Sequence, residues 1–310
     1  MKTGESASTF PQVGNRRYYF GMAMAMTTAF LWGFLPIFLK VALKDFSPQT
    51  IVGFRFLFAF VVLGAILSLR GERPAKIILR PPLVGILTGI LLAGNYFYFL
   101  EGVNFSGPAN SAVLIQVAPV MVALAGIFIF KERFNKWQTI GLCITVAGLC
   151  LFYLERSSQS ADTDVYTEAN LYIFIGAVLW AGYMVLQKTL SQDFKAQHLN
   201  LLIYGVAAAT FAPWIIWSEL SASGIKEWAL IIFLGVNTLL AYGALAEAIK
   251  YIPVSLISVI ITINPLITLT ATYFMADIFP GLIAPELVGL LGWLGACAAV
   301  TGVVLVARKK

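Results

Sequence analysis

Polar and aromatic side chains occur within long apolar stretches of this chain, and their types suit the non-covalent binding of a ligand. The candidate binding residues are Trp32, Asn95, Tyr96, Gln116, Trp180, Tyr183, Tyr242, Thr262 and Asn264. Unpaired polar groups are costly in apolar surroundings, so such side chains face either a cavity or a neighbouring helix. Amides beside aromatic rings suit a ligand of mixed character, such as an amino acid. The competing interpretations are hydrogen bonds between helices, worth about 0.6 to 2 kcal/mol, and ordinary packing of the rings.

Four ionisable residues at the ends of apolar stretches form two pairs of opposite charge. Lys40 and Glu101 lie at the predicted outer face, and Lys188 and Glu247 lie at the inner face. We predict that each pair gates a central cavity from its own side. The competing interpretation is that the lysines extend to lipid headgroups and the glutamates lie in interfacial water. Arg55 is the only charge well inside an apolar stretch; pairing with Glu101 is the favoured interpretation, and a polar path for anions is the other.

The chain lacks the residue groups on which enzymes and metal sites depend. It has one histidine, His198, and three cysteines, Cys143, Cys150 and Cys297, which lie inside apolar stretches where we expect them to pack. A single histidine cannot form a His-based metal cluster, and no paired aspartates or metal motif occurs at membrane depth. We therefore expect no cofactor, no metal and no catalytic activity.

The composition predicts an integral membrane protein rather than a soluble domain. The 310 residues are 59% hydrophobic and only 12% charged, with a mean hydropathy of +0.85. About 20 apolar residues in a helix span the hydrocarbon, because every backbone polar group must be paired within the segment. Ten stretches of this kind predict an all-α protein of ten transmembrane helices. They are residues 18–43, 48–69, 82–102, 108–130, 137–154, 169–188, 199–218, 228–249, 253–276 and 287–307.

The basic residues fix the predicted topology and explain the net charge of +6 without nucleic acid. With a cytoplasmic N-terminus, sixteen of the 21 Lys and Arg residues fall on the inner side and four on the outer side. An excess of Lys and Arg marks cytoplasmic segments. Both termini are therefore predicted to be cytoplasmic, with residues 1–17 as a flexible tail on a multi-pass protein of the bacterial inner membrane.

The sequence contains an internal repeat, so that its two halves resemble each other. Residues 31–46 and 179–194 share Leu, Trp, Lys, Asp and Phe at a constant shift of 148, and a shift of 146 places Tyr96 on Tyr242, Glu101 on Glu247 and Gln116 on Thr262. Internal repeats of this kind mark duplicated units. We predict a first repeat at 18–154, an external linker at 155–168 and a second repeat at 169–310, with an apolar insertion near 278–284.

The number of helices in each repeat predicts their relative orientation. Five helices cross the membrane an odd number of times, so the second repeat enters it inverted, as in secondary transporters that open a midplane site alternately to each side. Pro119 and Pro265 fall at equivalent places in the fourth and ninth stretches. Each is predicted to kink its helix, either as a hinge by which a repeat opens or as a static bend.

Glycines recur on one face of the fifth and tenth stretches, namely Gly141 and Gly148, then Gly289, Gly292, Gly295 and Gly302. Small faces let helices approach closely. Packing of these helices within one chain is the favoured interpretation, and dimerisation is the other. The oligomeric state, monomer or dimer, stays open.

Residues 101–153, together with the opening LWGFLPIFLKVAL at 31–43, resemble the drug/metabolite transporter superfamily, specifically its EamA-type ten-helix bacterial members. The resemblance implies that the first, third, fourth, sixth, eighth and ninth helices surround a central cavity, while the fifth and tenth pack at the periphery. The second half departs from the pattern, since it has Ala276-Asp277 where the first has Lys131-Glu132-Arg133.

These observations predict a secondary transporter of a small metabolite, most simply an exporter of an amino acid or similar amphipathic solute, working by alternating access. Its partners would be this small-molecule substrate and membrane lipid, and not nucleic acid. The alternatives are a flippase for a lipid moiety, an assembly subunit without transport of its own, and, less favoured, a membrane-embedded enzyme. Cavity shape separates them, because a closed chamber favours a small solute and a groove open to lipid favours a flippase.

Overall fold

The structure is a computed structural model that describes residues 16–72, 75–128, 136–159, 163–190, 193–252, 257, 260–278 and 288–307. Within these residues the regular structure is helical. The helices are α1 Arg16–Ala42, α2 Pro48–Leu69, α3 Ala75–Leu79, α4 Leu83–Leu114, α5 Val117–Phe128, α6 Lys136–Gln159, α7 Thr163–Leu190, α8 Ala196–Phe211, α9 Trp217–Ala222, α10 Ile225–Tyr251, α11 Asn264–Ile278 and α12 Leu290–Ala307, with a 3-10 turn at Ala212–Trp214.

Six helices are long and apolar enough to cross a membrane among the residues that the structure describes. They lie at Arg16–Ala42, Pro48–Leu69, Leu83–Leu114, Thr139–Ser158, Asp164–Leu190 and Ile225–Ala248, and the shorter helix Leu290–Leu305 is also apolar. Residues 1–15 of the tail predicted at 1–17, the charged triad 131–133 and residues 279–284 of the predicted insertion lie outside the described residues. The last two residues of the predicted tail, Arg16 and Arg17, already belong to α1. The all-helical membrane class is therefore confirmed, and the complete set of ten inverted spans stays a prediction.

Besides two helix breaks beside the cavity, the helix bounds differ from the predicted stretches at three places. The third and fourth stretches are joined within α4, which bends at Gly107 with φ +85°, a conformation that glycine adopts without strain. The seventh stretch ends early, because Pro213 lies in the 3-10 turn that follows α8. Helices α6 and α7 both extend into the predicted linker at 155–168, so that stretch is largely helical.

The helices pair in a pattern that is unchanged when the two halves are exchanged. Helix α6 packs along α12, and α2 packs along α8. Helix α4 packs along α7, and α1 packs along α10. In the numbering of the predicted spans these pairs are the fifth with the tenth, the second with the seventh, the third with the sixth, and the first with the eighth. Exchange of the halves converts the last two pairs into each other.

Residues that the repeat equates also contact each other directly. The Gln116 amide nitrogen donates to the backbone carbonyl of Thr262 at 3.3 Å, across the shift of 146. Near the end of each repeat the shift is 154, which places Val146-Ala147-Gly148 on Val300-Thr301-Gly302 and Thr145 on Ala299. The Thr145 hydroxyl donates to the carbonyl of Ala299 at 3.5 Å. Equivalent residues of two related units meet only near the axis that relates them. The contacts therefore place both pairs close to a pseudo-two-fold axis of the chain.

Helices α6 and α12 approach each other through their glycines. A Cβ added at Gly148 would lie 2.5 Å from the Ala299 nitrogen and 2.6 Å from the Gly295 carbonyl oxygen. A Cβ added at Gly302 would clash with the backbone and side chain of Thr145. The backbones therefore touch where only hydrogen atoms fit between them. This is the intramolecular packing that was the favoured interpretation of the glycine faces.

Candidate solute-binding site

A cavity of about 140 Å³ lies between the central helices. Its lining is Trp32, Leu35, Pro36 and Leu39 of α1, Arg55 of α2, Asn95, Tyr96, Phe99 and Ala112 of α4, Ile115 and Gln116, Ala118 and Pro119 of α5, Trp180 of α7, Tyr242 of α10, Ile261, and Asn264 and Thr268 of α11. Apart from Arg55, these residues come from the six spans that the resemblance places around the centre. Helices α6 and α12 contribute none of them.

Seven of the nine predicted binding residues line this cavity, namely Trp32, Asn95, Tyr96, Gln116, Trp180, Tyr242 and Asn264. Thr262 is buried and is not among the lining residues. Its backbone carbonyl accepts from the amide of Gln116, which does line the cavity. Tyr183 is fully buried and packs its ring against Tyr242 at a centroid distance of 6.3 Å. Its place in the structure is that of a packing residue behind the cavity wall, which was the competing interpretation for the rings.

The amide groups of the cavity hold helices together through their nitrogens. Asn95 Nδ2 donates to the Gly176 carbonyl at 2.9 Å and joins α4 to α7. Gln116 Nε2 reaches from the break between α4 and α5 to Thr262, which precedes α11. Both donors are therefore engaged with backbone carbonyls. A primary amide also carries an oxygen that accepts, so each of these residues keeps an acceptor besides its bond between helices.

Asn264, in the second half of the chain, also uses its amide nitrogen to bond backbone carbonyls. With its amide oriented so that the nitrogen faces the neighbouring carbonyls, it donates to Ile261 at 2.9 Å and to Ala29 at 2.8 Å. This orientation is assigned from the hydrogen bonds that it satisfies. The Asn264 oxygen is then the acceptor of this third amide.

Tyr242 is the centre of the aromatic wall. Its ring lies 5.2 Å from Trp32 and 6.1 Å from Tyr96, its counterpart in the first repeat. The rings of Tyr183 and Tyr204 lie at 6.3 and 6.4 Å, both edge to face. Such pairs contribute about 0.5 to 1.5 kcal/mol beyond area burial. Three rings of this cluster, Trp32, Tyr96 and Tyr242, line the cavity.

Arg55 is buried at the cavity with 2% of its surface exposed, and its partners are neutral. Its Nε donates to the Thr238 hydroxyl at 3.0 Å, and its guanidinium carbon lies 4.6 Å from the centre of the Tyr96 ring. Its Nη2 has no hydrogen-bond partner among the described residues. No ion pair with Glu101 or another described carboxylate forms, so the favoured interpretation of Arg55 was wrong. The signal that pointed to the cavity was in the sequence, since Arg55 is the only charge deep inside an apolar stretch.

Of the four predicted gate residues, Lys40, Lys188 and Glu247 lie in the last two turns of their helices, whereas Glu101 lies within α4, about two turns before its bend at Gly107. Lys40 Nζ donates to the Asn104 carbonyl, one turn beyond Glu101 on α4. Glu247 pairs with Lys250 at 2.6 Å. It also accepts from the Gln197 amide at 3.5 Å. The two gates, Lys40 with Glu101 and Lys188 with Glu247, stay predictions.

The two hinge prolines begin helices instead of interrupting them. Pro119 lies in the first turn of α5 and Pro265 in the first turn of α11, each directly after a two-residue interruption of the helix at 115–116 and 262–263. At each break a backbone hydrogen bond connects residues three apart, as in a 3-10 turn. The Ala118 nitrogen donates to the Ile115 carbonyl, and the Leu266 nitrogen donates to the Ile263 carbonyl. Proline is tolerated in a first turn, because the missing N–H has no partner there. The kink prediction is therefore corrected to a helix break in each half.

The fold and the cavity define a multi-pass helical membrane protein with a central solute-sized site. The sequence model of the EamA-like transporter family matches residues 19–154 and again 167–308. The chain belongs to this family, within the drug/metabolite transporter superfamily, and is therefore a transporter and not an enzyme.

Curated relatives agree with this assignment. The chain is 33% identical over 289 residues to the uncharacterised inner membrane transporter YhbE of Escherichia coli strain K12, covering 91% of this chain and 89% of that protein. It is 32% identical over 287 residues to an uncharacterised transporter of Haemophilus influenzae, covering 92% and 94%. One solved crystal structure shares the fold, with a TM-score of 0.64 at 20% identity over 94% of this chain and 97% of that one. The protein is thus a multi-pass protein of the inner membrane.

Proposed function

We propose that the protein is a secondary transporter that exports a small metabolite, such as an amino acid or a similar amphipathic solute, by alternating access. The observation that carries this proposal is the composition of the cavity wall. Trp32, Asn95 and Gln116 come from the first half, and Trp180, Tyr242 and Asn264 come from the second. A site shared between two repeats changes its exposure when the repeats move against each other.

The proposal includes the ten-span inverted arrangement. In it α1, α2, the first and second parts of α4 (the second continued by α5), and α6 form the repeat at 18–154. Helices α7, α8, α10, α11 and α12 form the repeat at 169–310. The pairing of helices around a pseudo-two-fold axis supports this division, as does the odd number of spans in each unit. The remaining short stretch near 160 joins the repeats on the outer side.

The breaks before Pro119 and Pro265 suit the moving parts of such a device. Each break interrupts the backbone ladder at the cavity, and the bond from Gln116 to Thr262 joins the two breaks. Helix breaks are points at which segments rotate with little loss of hydrogen bonding. We propose that the two breaks bend together during transport and that the Lys40–Glu101 and Lys188–Glu247 pairs close the opposite ends of the path.

The test is flux through purified protein in liposomes, using labelled amino acids, nucleosides and a fluorescent phospholipid, with and without a pH gradient. We expect saturable movement of a small solute. Tyr242→Ala should reduce that flux at least about tenfold, because it removes the ring at the centre of the aromatic wall. Tyr273→Ala is the matched control, since Tyr273 is 60% exposed on α11 and does not line the cavity.

Three outcomes separate the readings. Solute flux that Tyr242→Ala reduces and Tyr273→Ala does not supports the transporter. Movement of phospholipid without movement of solute supports the flippase alternative. Flux equal to that of empty vesicles for the entire panel, under both gradient conditions, would contradict both.

A further inference from the structure

We propose that Arg55 binds the carboxylate of the transported solute, so that the substrate of this transporter is a small carboxylate. The inference rests on the proposed function in one respect, namely that the central cavity is the transport site. The charge, burial and contacts of Arg55 carry the rest of it.

The first step is the missing counter-charge. A guanidinium remains protonated in proteins, and Arg55 is 2% exposed. A buried charge that lacks an opposite charge is strongly disfavoured, and ionisable groups at membrane depth pair with one another or face a polar pathway. The ring of Tyr96 and the hydroxyl of Thr238 compensate this charge in part, but neither is an anion. Within the part of the chain that the structure describes, no carboxylate forms an ion pair with Arg55.

The second step is the donor that remains. The Thr238 hydroxyl occupies Nε, while Nη2 is buried and has no partner among the described residues. A planar guanidinium with free N–H groups matches the two oxygens of a carboxylate. Because Arg55 lines the cavity, a carboxylate in the cavity can accept from it and supply the missing negative charge.

The third step separates this role from a structural one. The repeat places Arg55 on Ile203 at a shift of 148 or on Leu201 at a shift of 146, and both are buried and apolar. The packing that is common to the two halves therefore does not require a cation at this position. Thr238 does not require it either, because its hydroxyl also donates to the Leu234 carbonyl at 3.0 Å.

The rest of the cavity limits the size and character of the solute. A volume of about 140 Å³ is close to that of an engineered apolar cavity that binds benzene. The amide oxygens of Asn95, Gln116 and Asn264 are acceptors, so they suit an ammonium or hydroxyl group. A small amino acid or hydroxy acid, bound by its carboxylate to Arg55, combines these requirements.

The experiment compares acids with their own amides. Wild-type protein in nanodiscs is mixed with L-threonine, L-phenylalanine, L-lactate or benzoate, and separately with the primary amide of each. Equilibrium binding and the unfolding temperature are measured for every mixture. Arg55→Met and Arg55→Lys are the test variants. Lys226→Met is the matched control, because it removes one positive charge from an exposed residue at the start of α10.

We expect at least one acid to bind wild type at least ten times more tightly than its amide. Arg55→Met should weaken that acid about 30-fold or more, as loss of a buried charged partner does, and Lys226→Met should leave it unchanged. Without ligand, Arg55→Met should unfold at or above the wild-type temperature, since it removes an uncompensated buried charge. Arg55→Lys should retain part of the affinity, because it keeps the charge and loses the planar fork.

Equal binding of acids and amides, preference for acids that survives in both Arg55 variants, or no binding of any acid would each overturn the proposal. If Arg55→Met does not fold, Arg55→Lys decides, because an undiminished preference for the acid in that variant would overturn the proposal and a weakened preference supports it. The result is independent of flux. Acid binding without flux would support the carboxylate site and contradict the transport function. Flux limited to solutes without a carboxylate would support the transport function and contradict the carboxylate site.

Discussion

The contact between α6 and α12 gives a sharp test of the packing. We predict that Gly148→Ala destabilises the protein, because the added methyl meets backbone on three sides. The new Cβ would lie 2.5 Å from the Ala299 nitrogen, 2.6 Å from the Gly295 oxygen and 3.0 Å from the Ala298 carbonyl carbon. The first distance is about 0.9 Å short of the 3.4 Å at which ordinary contacts begin. Backbone atoms cannot rotate away, so the two helices must separate.

The size of the effect follows from that separation. Overpacking of a close contact costs about 1 to 3 kcal/mol, and a gap of 0.5 to 1 Å along the rest of the interface forfeits roughly a quarter to a half of each dispersion contact. At ~2–4 °C per kcal/mol, the unfolding temperature in detergent should fall by roughly 2 to 12 °C. Gly302→Ala should give a similar loss, because its Cβ meets Thr145 on the same interface.

The control is Gly64→Ala on α2, whose added Cβ would meet only the Leu201 side chain at 3.7 Å. That variant should unfold at or above the wild-type temperature, because alanine favours helix over glycine. The double variant of Gly148 and Gly302 should lose less than the sum of the two single losses, since one separation relieves both clashes. An unfolding temperature for Gly148→Ala within 1 °C of wild type would refute the backbone contact.

Two further predictions concern other contacts. Hydrogen bonds from Lys195 and His198 lower the pKa of Glu72 below its ordinary 4.5. This contact therefore stabilises the fold above pH 4.5, and the stabilisation is lost as the pH falls through the lowered pKa. Followed by tryptophan fluorescence, Glu72→Gln should unfold at a lower temperature than wild type at pH 7, and the difference should vanish in acid. Gln116→Leu removes the bond to Thr262 that joins the two helix breaks, which is worth about 0.6 to 2 kcal/mol of stability. We expect this variant to show a lower solute flux per folded molecule than wild type. A lower unfolding temperature with unchanged flux per folded molecule would contradict that role.

Much of the site could be read from residue type and depth. Asn95 and Gln116 are polar residues in stretches that otherwise belong in lipid, and Tyr96 with Tyr242 recurs by the repeat; all four line the cavity. Tyr183 satisfied similar criteria, yet it lies behind the wall. Its position depends on the rotation of α7 about its own axis, and that rotation is set by packing against α4 and α5.

The sequence by itself determined the membrane class, the helices and the duplication, because these depend on the length of apolar stretches and on spacing along one chain. The tertiary structure decided which side chains meet. Arg55 bonds Thr238, which is 183 residues away, instead of Glu101. Gln116 bonds a backbone carbonyl, and such a partner cannot be predicted from residue type because every residue has a carbonyl. Such contacts follow from where helices break and how they rotate when they pack, and both are settled by distant parts of the chain acting together.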